Sequence, residues 1–255
     1  MQVVVTGLQK LFGPKVGVDI PALQIAPGET FGLVGSNGAG KTTFLRLLLD
    51  LLKPSAGMVT IDGQSVATSA NWKSSTGSYL DESFLLDFLT ADEFFEFIGD
   101  VYGLRQDALA SELKKYQSFY PDEVFGHTDK LLRELSRGSA KKVGIIGAMI
   151  TRPGLLILDE PFANLDPGSQ ILLKQLITDL NEKHGTTAIV SSHDLLHVTD
   201  ICRRIAVLDK GRIVRDIETS TETLRNLQAY FTSSDAPIEA PSNGHQGGVP
   251  TSTRR

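Results

Sequence analysis

GSNGAGKT, residues 35–42, lies directly after the apolar run FGLV and directly before a helical leucine pattern, Leu45, Leu48, Leu49 and Leu52. This order of strand, glycine-rich turn and helix is the setting in which G-x4-G-K-T binds phosphate. Glycines let consecutive backbone N–H groups turn inward, and the helix N-terminus adds partial positive charge. The sequence therefore predicts a cradle for the phosphate chain of a nucleotide.

The loop residues have distinct expected roles. Lys41 would reach the β- and γ-phosphates, and Thr42 would offer its hydroxyl to Mg²⁺. We expect the nucleotide to be bound by Gly35, Ser36, Asn37, Gly38, Ala39, Gly40, Lys41, Thr42 and Thr43.

A second motif, LLILDE at residues 155–160, is an apolar strand that ends in two carboxylates. Asp159 is placed to hold the Mg²⁺ shell, as the acidic residue of such a strand does in phosphoryl-transfer sites. Glu160 falls just beyond the strand, where a carboxylate can polarise an attacking water. We expect Asp159 to be a metal ligand and Glu160 to be catalytic.

A third motif, SSHD at residues 191–194, follows the run TAIV. In open α/β sheets, ligands lie outside the carboxyl ends of the strands, so His193 is expected at the same edge as Lys41 and Glu160. His193 could donate to the γ-phosphate or orient the water. We expect it to be catalytic, together with Lys41 and Glu160.

Short apolar runs alternate with helical patterns along the chain, which predicts an α/β fold of the P-loop NTPase type with a mainly parallel sheet. Runs such as LLIL and AIV are apolar on both faces, as central parallel strands are. The early strands between Val3 and Ile61 are expected to form a separate antiparallel layer. The predicted strands are Val3–Leu8, Thr30–Val34, Val59–Ile61, Gly77–Leu80, Leu155–Leu158, Thr187–Ser191 and Ile205–Leu208.

From Phe84 to Glu134 the sequence becomes helical, aromatic and acidic, which indicates an inserted helical subdomain. We therefore predict an ATP-binding core at 1–82 and 136–231 and a helical subdomain at 83–135. From position 232 onward Pro, Gly, Ser and Thr dominate. That composition predicts a disordered tail at 232–255.

Composition narrows the classes of partner. A net charge of −5 over 255 residues provides no basic footprint for nucleic acid. The single cysteine, Cys202, excludes an internal disulfide and fits a reducing compartment. No run approaches the roughly 18 apolar residues of a membrane helix, and the N-terminus lacks the pattern of a signal peptide. Action at a membrane is therefore expected to need another chain.

Taken in order, the phosphate loop, the helical insertion, LSRGS at 135–139, LLILDE, ANLD and SSHD resemble the nucleotide-binding subunit of an ABC transporter. The resemblance covers about residues 1–230. It implies an ATPase that closes as a dimer, with itself or a homologous subunit, around two Mg-ATP and drives a separate integral-membrane permease. Such a subunit lies in the cytoplasm, on the membrane face.

The resemblance also assigns residues that the motifs alone do not. Phe12 matches the aromatic side chain that stacks on adenine. Asn164 to Asp166 match a loop through which the two subunits communicate. Ser136 and Gly138 match the signature that closes over ATP held by the opposite subunit.

Two positions depart from the family pattern. Where the family has Gln beside Mg²⁺, this chain has Glu82, or Asp81 if the register differs by one. Where the family has LSGGQ, this chain has LSRGS, so Arg137 and Ser139 replace a glycine and a glutamine. We expect Glu82 to face the metal and the site to be active.

Two other readings stay open at this point. A soluble ABC protein that acts on ribosomes or DNA usually carries tandem cassettes or long coiled coils, and this chain has one phosphate loop and no sustained heptads. A regulatory subunit that hydrolyses poorly would explain Glu82 and LSRGS. A small GTPase is disfavoured, because no N-K-x-D motif follows the loop. The compact insertion most resembles exporter-type cassettes.

Overall fold

The computed structural model describes residues 1–120 and 129–220, together with Thr223 and Leu227. The predicted disordered tail at 232–255 lies outside these residues. Within them, ten strands form two sheets, with six α-helices packed around them. No helix in the described ranges combines the length and the apolar composition needed to cross a membrane.

The first sheet is antiparallel and contains strands from the beginning of the chain. It consists of β1 (Val3–Phe12), β2 (Lys15–Ile25), β4 (Ala56–Ile61) and β5 (Gln64–Ser65), in the order β2-β1-β4-β5. The predicted antiparallel layer is thus confirmed. Strand β2 was missing from the prediction because Pro21 interrupts its apolar alternation. Proline is tolerated there because β2 is an edge strand.

The second sheet is mainly parallel, as predicted. It contains β3 (Thr30–Val34), β6 (Thr76–Tyr79), β7 (Leu155–Leu158), β8 (Thr187–Ser192), β9 (Arg204–Asp209) and β10 (Arg212–Glu218). The order is β10-β9-β3-β8-β7-β6, and β10 is the antiparallel member. Strand β3 lies within the range assigned to the antiparallel layer, and that part of the assignment was wrong. All five residues of β3 are buried, which suits the centre of the parallel sheet.

The helices are α1 (Lys41–Leu48), α2 (Ala91–Val101), α3 (Gln106–Leu113), α4 (Arg137–Met149), α5 (Pro167–His184) and α6 (Leu195–Ile201). The leucine pattern extended α1 to Leu52, but the helix ends a turn earlier. Asp50 has a left-handed backbone with φ of 54°, and Leu51 is exposed. Leu52, the last residue of the predicted pattern, therefore lies beyond the helix, although it still packs against the hydrophobic cluster beneath α1.

The predicted helical insertion contains α2, α3 and short 3₁₀ turns. Helix α2 begins with a capping box in which Thr90 and Glu93 satisfy each other's backbone N–H groups. The buried Glu112 of α3 forms an ion pair with Arg152, just after α4. This pair joins the helical insertion to the parallel sheet layer. The domain boundaries themselves remain predictions.

Two hydrophobic clusters cover the two faces of the parallel sheet. In β7, Leu155 and Ile157 pack into one cluster, while Leu156 and Leu158 pack into the other. This alternation explains why the strand is apolar at every position. Because both faces are buried, the polar side chains that follow the strands collect at the carboxyl edge of the sheet.

Candidate functional site

The phosphate loop joins β3 to α1 at the carboxyl edge of the sheet, and two of its glycines are required by their surroundings. Gly40 has φ of 112°, and a Cβ there would lie 2.6 Å from the Gly17 carbonyl oxygen. A Cβ at Gly35 would lie 2.3 Å from the Leu208 carbonyl oxygen. The loop can therefore adopt this fold only with glycine at these two positions. The lack of side chains there leaves the loop backbone accessible to an incoming phosphate.

Lys41 is buried inside this loop. Its Nζ donates to the carbonyl oxygen of Gly35 at 2.6 Å and lies 3.1 Å from Glu160 Oε1. The ammonium is thus fixed at the base of the cradle by the loop's own backbone. Its ion pair with Glu160 links the loop to the motif at the end of β7.

Thr42 and Asp159, two of the three residues expected at the metal, meet beside the loop. Thr42 Oγ1 donates to Asp159 Oδ2 at 2.5 Å, and the Ser191 hydroxyl donates to the other carboxylate oxygen. Burial raises the pKa of Asp159, against the opposing effect of these hydrogen bonds. A buried carboxylate beside a hydroxyl is a set of hard oxygen donors, and this chemistry suits Mg²⁺.

In the residues that the structure describes, no group of three or more His, Cys, Asp or Glu is arranged to hold a metal. Mg²⁺ at nucleotide sites is commonly held by one or two protein oxygens, with phosphates and waters completing the shell. Thr42 and Asp159 would supply these one or two protein oxygens.

Glu160 and His193 lie together at the same edge. His193 Nδ1 is 2.8 Å from Glu160 Oε2, and the Glu160 backbone N–H donates to the Ser191 hydroxyl at 2.9 Å. Glu160 has a left-handed backbone with φ of 45°. Such a conformation is strained for a residue with a side chain and persists only where neighbours hold it. The arrangement presents a carboxylate and an imidazole side by side in front of the loop.

A cleft of about 400 Å³ runs from the phosphate loop to the end of β1. Phe12 forms one end and is 48% exposed, so it is not a core residue. Lys15, Val16 and Gly17 also line the cleft; the sequence motifs did not indicate them, because β2 was not predicted. The lining residues are Phe12, Lys15, Val16, Gly17, Ser36, Asn37, Gly38, Gly40, Lys41, Thr42, Thr43 and Glu160.

Glu82 and Asp81 follow β6 and have different surroundings. Asp81 accepts a hydrogen bond from the Ser83 backbone at 2.9 Å and lies 3.6 Å from Arg46. Tyr79 has a raised pKa, caused first by burial and then by the negative charge of Glu82. The Asp81 carboxylate therefore already caps the turn that follows β6. This favours Glu82 as the residue in the position of the family glutamine.

The signature residues lie outside the cleft of their own chain. Ser136 is exposed at the N-terminus of α4, where its Oγ accepts from the Ser139 N–H at 3.1 Å. It also donates to the Ser139 hydroxyl at 2.8 Å. A Cβ on Gly138 would lie 3.1 Å from the Asn164 carbonyl oxygen. The structure thus brings the signature together with the Asn164 loop, but not with Lys41.

A larger cleft of about 830 Å³ opens at the other edge of the parallel sheet, where β3 and β9 begin. Its principal charges are already paired. Arg204 binds the Asp216 carboxylate with both Nε and an Nη at 2.6 Å and lies 3.2 Å from Glu29. The smaller cleft, with its glycine cradle and converging polar groups, is the better candidate for a functional site.

The sequence profile of the ABC transporter family matches residues 18–163. The chain is 34% identical to an uncharacterized ABC transporter ATP-binding protein of Synechocystis sp., over 82% of this chain and 58% of that protein. It is 32% identical to a methionine import ATP-binding protein of Carboxydothermus hydrogenoformans, over 78% and 60%. It is 31% identical to a Nod factor export ATP-binding protein of Cupriavidus metallidurans, over 82% and 68%.

The chain therefore spans less than two thirds of the length of two of these relatives. A solved structure described as the ATP binding subunit of an ABC transporter superposes with a TM-score of 0.77 at 24% identity. It covers 90% of this chain and 94% of that one. At this identity the similarity supports the fold alone, and the fold agrees with the P-loop NTPase architecture predicted from the sequence.

Proposed function

We propose, from the premise that this chain belongs to the ABC transporter family, that it binds and hydrolyses ATP to drive a separate membrane permease. The observation that carries the proposal is the meeting of three motifs at one sheet edge. Lys41, the pair of Thr42 with Asp159, and the pair of Glu160 with His193 come from distant parts of the sequence. A glycine cradle, a metal-binding pair and a polarising carboxylate are together the parts needed for phosphoryl transfer to water.

ATP would lie along the cleft of about 400 Å³. Its base would stack on the exposed Phe12 ring at one end, and its phosphates would lie against the backbone N–H groups of the loop. Lys15, also in the lining, adds positive charge to the cleft. We infer that Lys15 contributes to nucleotide affinity by this charge.

The hydrolytic step would use Glu160 as the group that polarises water. Without nucleotide, its carboxylate pairs with Lys41 at 3.1 Å. An incoming γ-phosphate competes for Lys41, which frees Glu160 Oε1 to accept a hydrogen bond from water. His193, at 2.8 Å from the other oxygen, keeps the carboxylate oriented and could donate to the γ-phosphate. Mg²⁺ bound at Thr42 and Asp159 would supply positive charge that stabilises the phosphates.

We further propose a dimer with composite sites. Ser136 and Gly138 are outside the cleft of their own chain, and Ser136 is exposed. In a two-fold dimer, the same surface of each copy meets the other, so a signature from one chain can cover ATP held by its partner. The N-terminus of α4 would then present its backbone N–H groups to the γ-phosphate. The partner copy would be this chain itself or a homologous subunit.

A mixture of two inactive variants tests the composite site. We expect Lys41→Ala and Ser136→Arg each to be inactive alone and to regain activity when subunits exchange. A hybrid dimer has one site with both residues intact, so random pairing restores about a quarter of wild-type activity if the sites act independently. The measurement is phosphate release from equal mixtures. A mixture as inactive as its parents, with exchange demonstrated, would contradict independent composite sites.

An inactive mixture would have two explanations: the signature acts within its own chain, or both sites of a dimer must be intact for either to work. Cysteine crosslinking distinguishes these two explanations. Cysteines at Ser36 and Ser139 should link two chains only with ATP present. Cys202 does not compete, because it is buried and burial raises the pKa of its thiol. A link within one chain would contradict the dimer proposal.

The permease, the membrane location and the direction of transport are also proposals. We propose that the chain acts on the cytoplasmic face of the membrane through an integral-membrane partner. The compact helical insertion favours export. The relatives include an import protein and an export protein of nearly equal sequence identity to this chain, so sequence identity does not indicate the direction of transport. Copurification from native membranes would identify the permease, and transport assays with it would give the direction.

Glu82→Gln distinguishes an active subunit from a weakly hydrolysing regulatory one. We expect turnover to persist within about threefold or to rise, because the change removes one negative charge beside the triphosphate. Steady-state phosphate release with Mg-ATP, with and without the permease, is the measurement. A collapse of turnover would show that the carboxylate itself takes part in the mechanism.

A further inference from the structure

Lys141 is a buried lysine outside the set of residues that contact nucleotide, metal or water in the proposed hydrolytic step. It is 5% exposed, on the second turn of α4. Its Nζ donates to the carbonyl oxygen of Glu160 at 3.0 Å and to that of Ala163 at 2.9 Å. One ammonium thus holds both ends of the turn that begins with the proposed catalytic carboxylate.

The turn needs such support. Glu160 and Asn164 both have left-handed backbones, with φ of 45° and 62°. Conformations of this kind cost free energy and are kept by surrounding contacts. The direction of the Glu160 carboxylate depends on this backbone, so a group that fixes the carbonyls also fixes where the carboxylate points.

The same ammonium is surrounded by negative charge. Burial lowers the pKa of Lys141, and the charges of Glu82, Glu160 and Asp159 raise it in opposition. The Nζ of Lys141 also lies over the Tyr79 ring, 5.9 Å from its centroid. Helix α4 packs against the 3₁₀ turn Glu82–Phe84, so Lys141 lies on the helix that contacts the carboxylate in the position of the family glutamine.

We propose that Lys141 is a positioning residue with two linked roles: it holds the Glu160 turn by its two carbonyls, and it offsets the negative charge of Glu82. The proposal rests on the proposed hydrolysis of ATP at Glu160. It explains how a site that carries the additional carboxylate of Glu82 can still bind a triphosphate, because the positive charge of Lys141 partly compensates that carboxylate. The two roles predict a specific coupling between positions 82 and 141.

The test is a double-mutant cycle of Lys141→Gln and Glu82→Gln. We expect Lys141→Gln to lower kcat roughly 10- to 100-fold, the scale of a displaced catalytic group, with the affinity for a fluorescent ATP analogue within about threefold. Adding Glu82→Gln should restore kcat by at least about threefold, because the uncompensated carboxylate is gone. Lys174→Gln is the matched control, since Lys174 is a partly buried lysine that pairs with Asp200 on α6. It should retain wild-type kcat.

Several outcomes decide the matter. A Lys141→Gln protein with wild-type kcat, or a loss that Glu82→Gln leaves unchanged, overturns the proposal. Thermal melting shows whether each variant is folded, and if Lys141→Gln is not, Lys141→Met replaces it in the same cycle. Glu160→Gln is measured in parallel. If wild-type protein hydrolyses ATP and Glu160→Gln does not, the proposed function stands whatever the result at Lys141.

Discussion

Glu160→Gln should slow ATP hydrolysis by roughly 100-fold or more while ATP binding is retained, the usual scale for loss of a general base. The amide keeps the size of the side chain and can still contact Lys41 and His193, but it accepts a proton far less readily than a carboxylate. Nucleotide would then bind without being consumed. In a dimer that closes around ATP, the variant should hold two chains together.

Two measurements check this expectation. Single-turnover phosphate release gives the rate, and size-exclusion chromatography with Mg-ATP gives the oligomeric state. Glu182→Gln is the matched control, because it makes the same change at an exposed position on α5. Hydrolysis by Glu160→Gln at the control rate would remove Glu160 from the mechanism. A monomeric profile with ATP bound would count against the dimer.

Lys41→Ala should abolish ATP hydrolysis, because catalysis at such a site is mostly electrostatic and the central cation is lost. The change also removes the donor to the Gly35 carbonyl and the partner of Glu160. The cradle therefore loses both its charge and an internal support. ATP affinity should fall as well.

Phosphate release and the binding of a fluorescent ATP analogue measure the two effects. Lys53→Ala, at an exposed lysine shortly after α1, is the control for charge removal. Thermal melting separates a lost site from a lost fold. Full turnover by folded Lys41→Ala protein would refute the assignment of GSNGAGKT as the phosphate loop.

Much of the fold followed from local pattern. The bounds predicted for β3 and β7 agree with the structure, because both are short apolar runs with abrupt polar or glycine neighbours. Strand β10 was not predicted. Its sequence RIVRDIE carries charges at an edge that is largely exposed, so the apolar signal used for central strands is weak.

The candidate site divides in a similar way. Each motif could be recognised from its own residues, because a glycine loop or a strand ending in carboxylates has local chemistry. Contacts between motifs could not be recognised in this way. The ion pair of Lys41 with Glu160 and the hydrogen bond of Thr42 to Asp159 cross more than a hundred residues of sequence. The roles assigned to these site residues stay predictions until the variants are measured.

The sequence by itself determined the class of fold, the order of the motifs and the residue types that could bind phosphate and metal. These properties depend on periodicity and on neighbouring residues. Tertiary structure decided that Gly17 of β2 lies against the phosphate loop and that Lys141 of α4 holds the Glu160 turn. Such contacts depend on which strands and helices become neighbours. That choice comes from the burial of whole faces, which no short segment of sequence encodes.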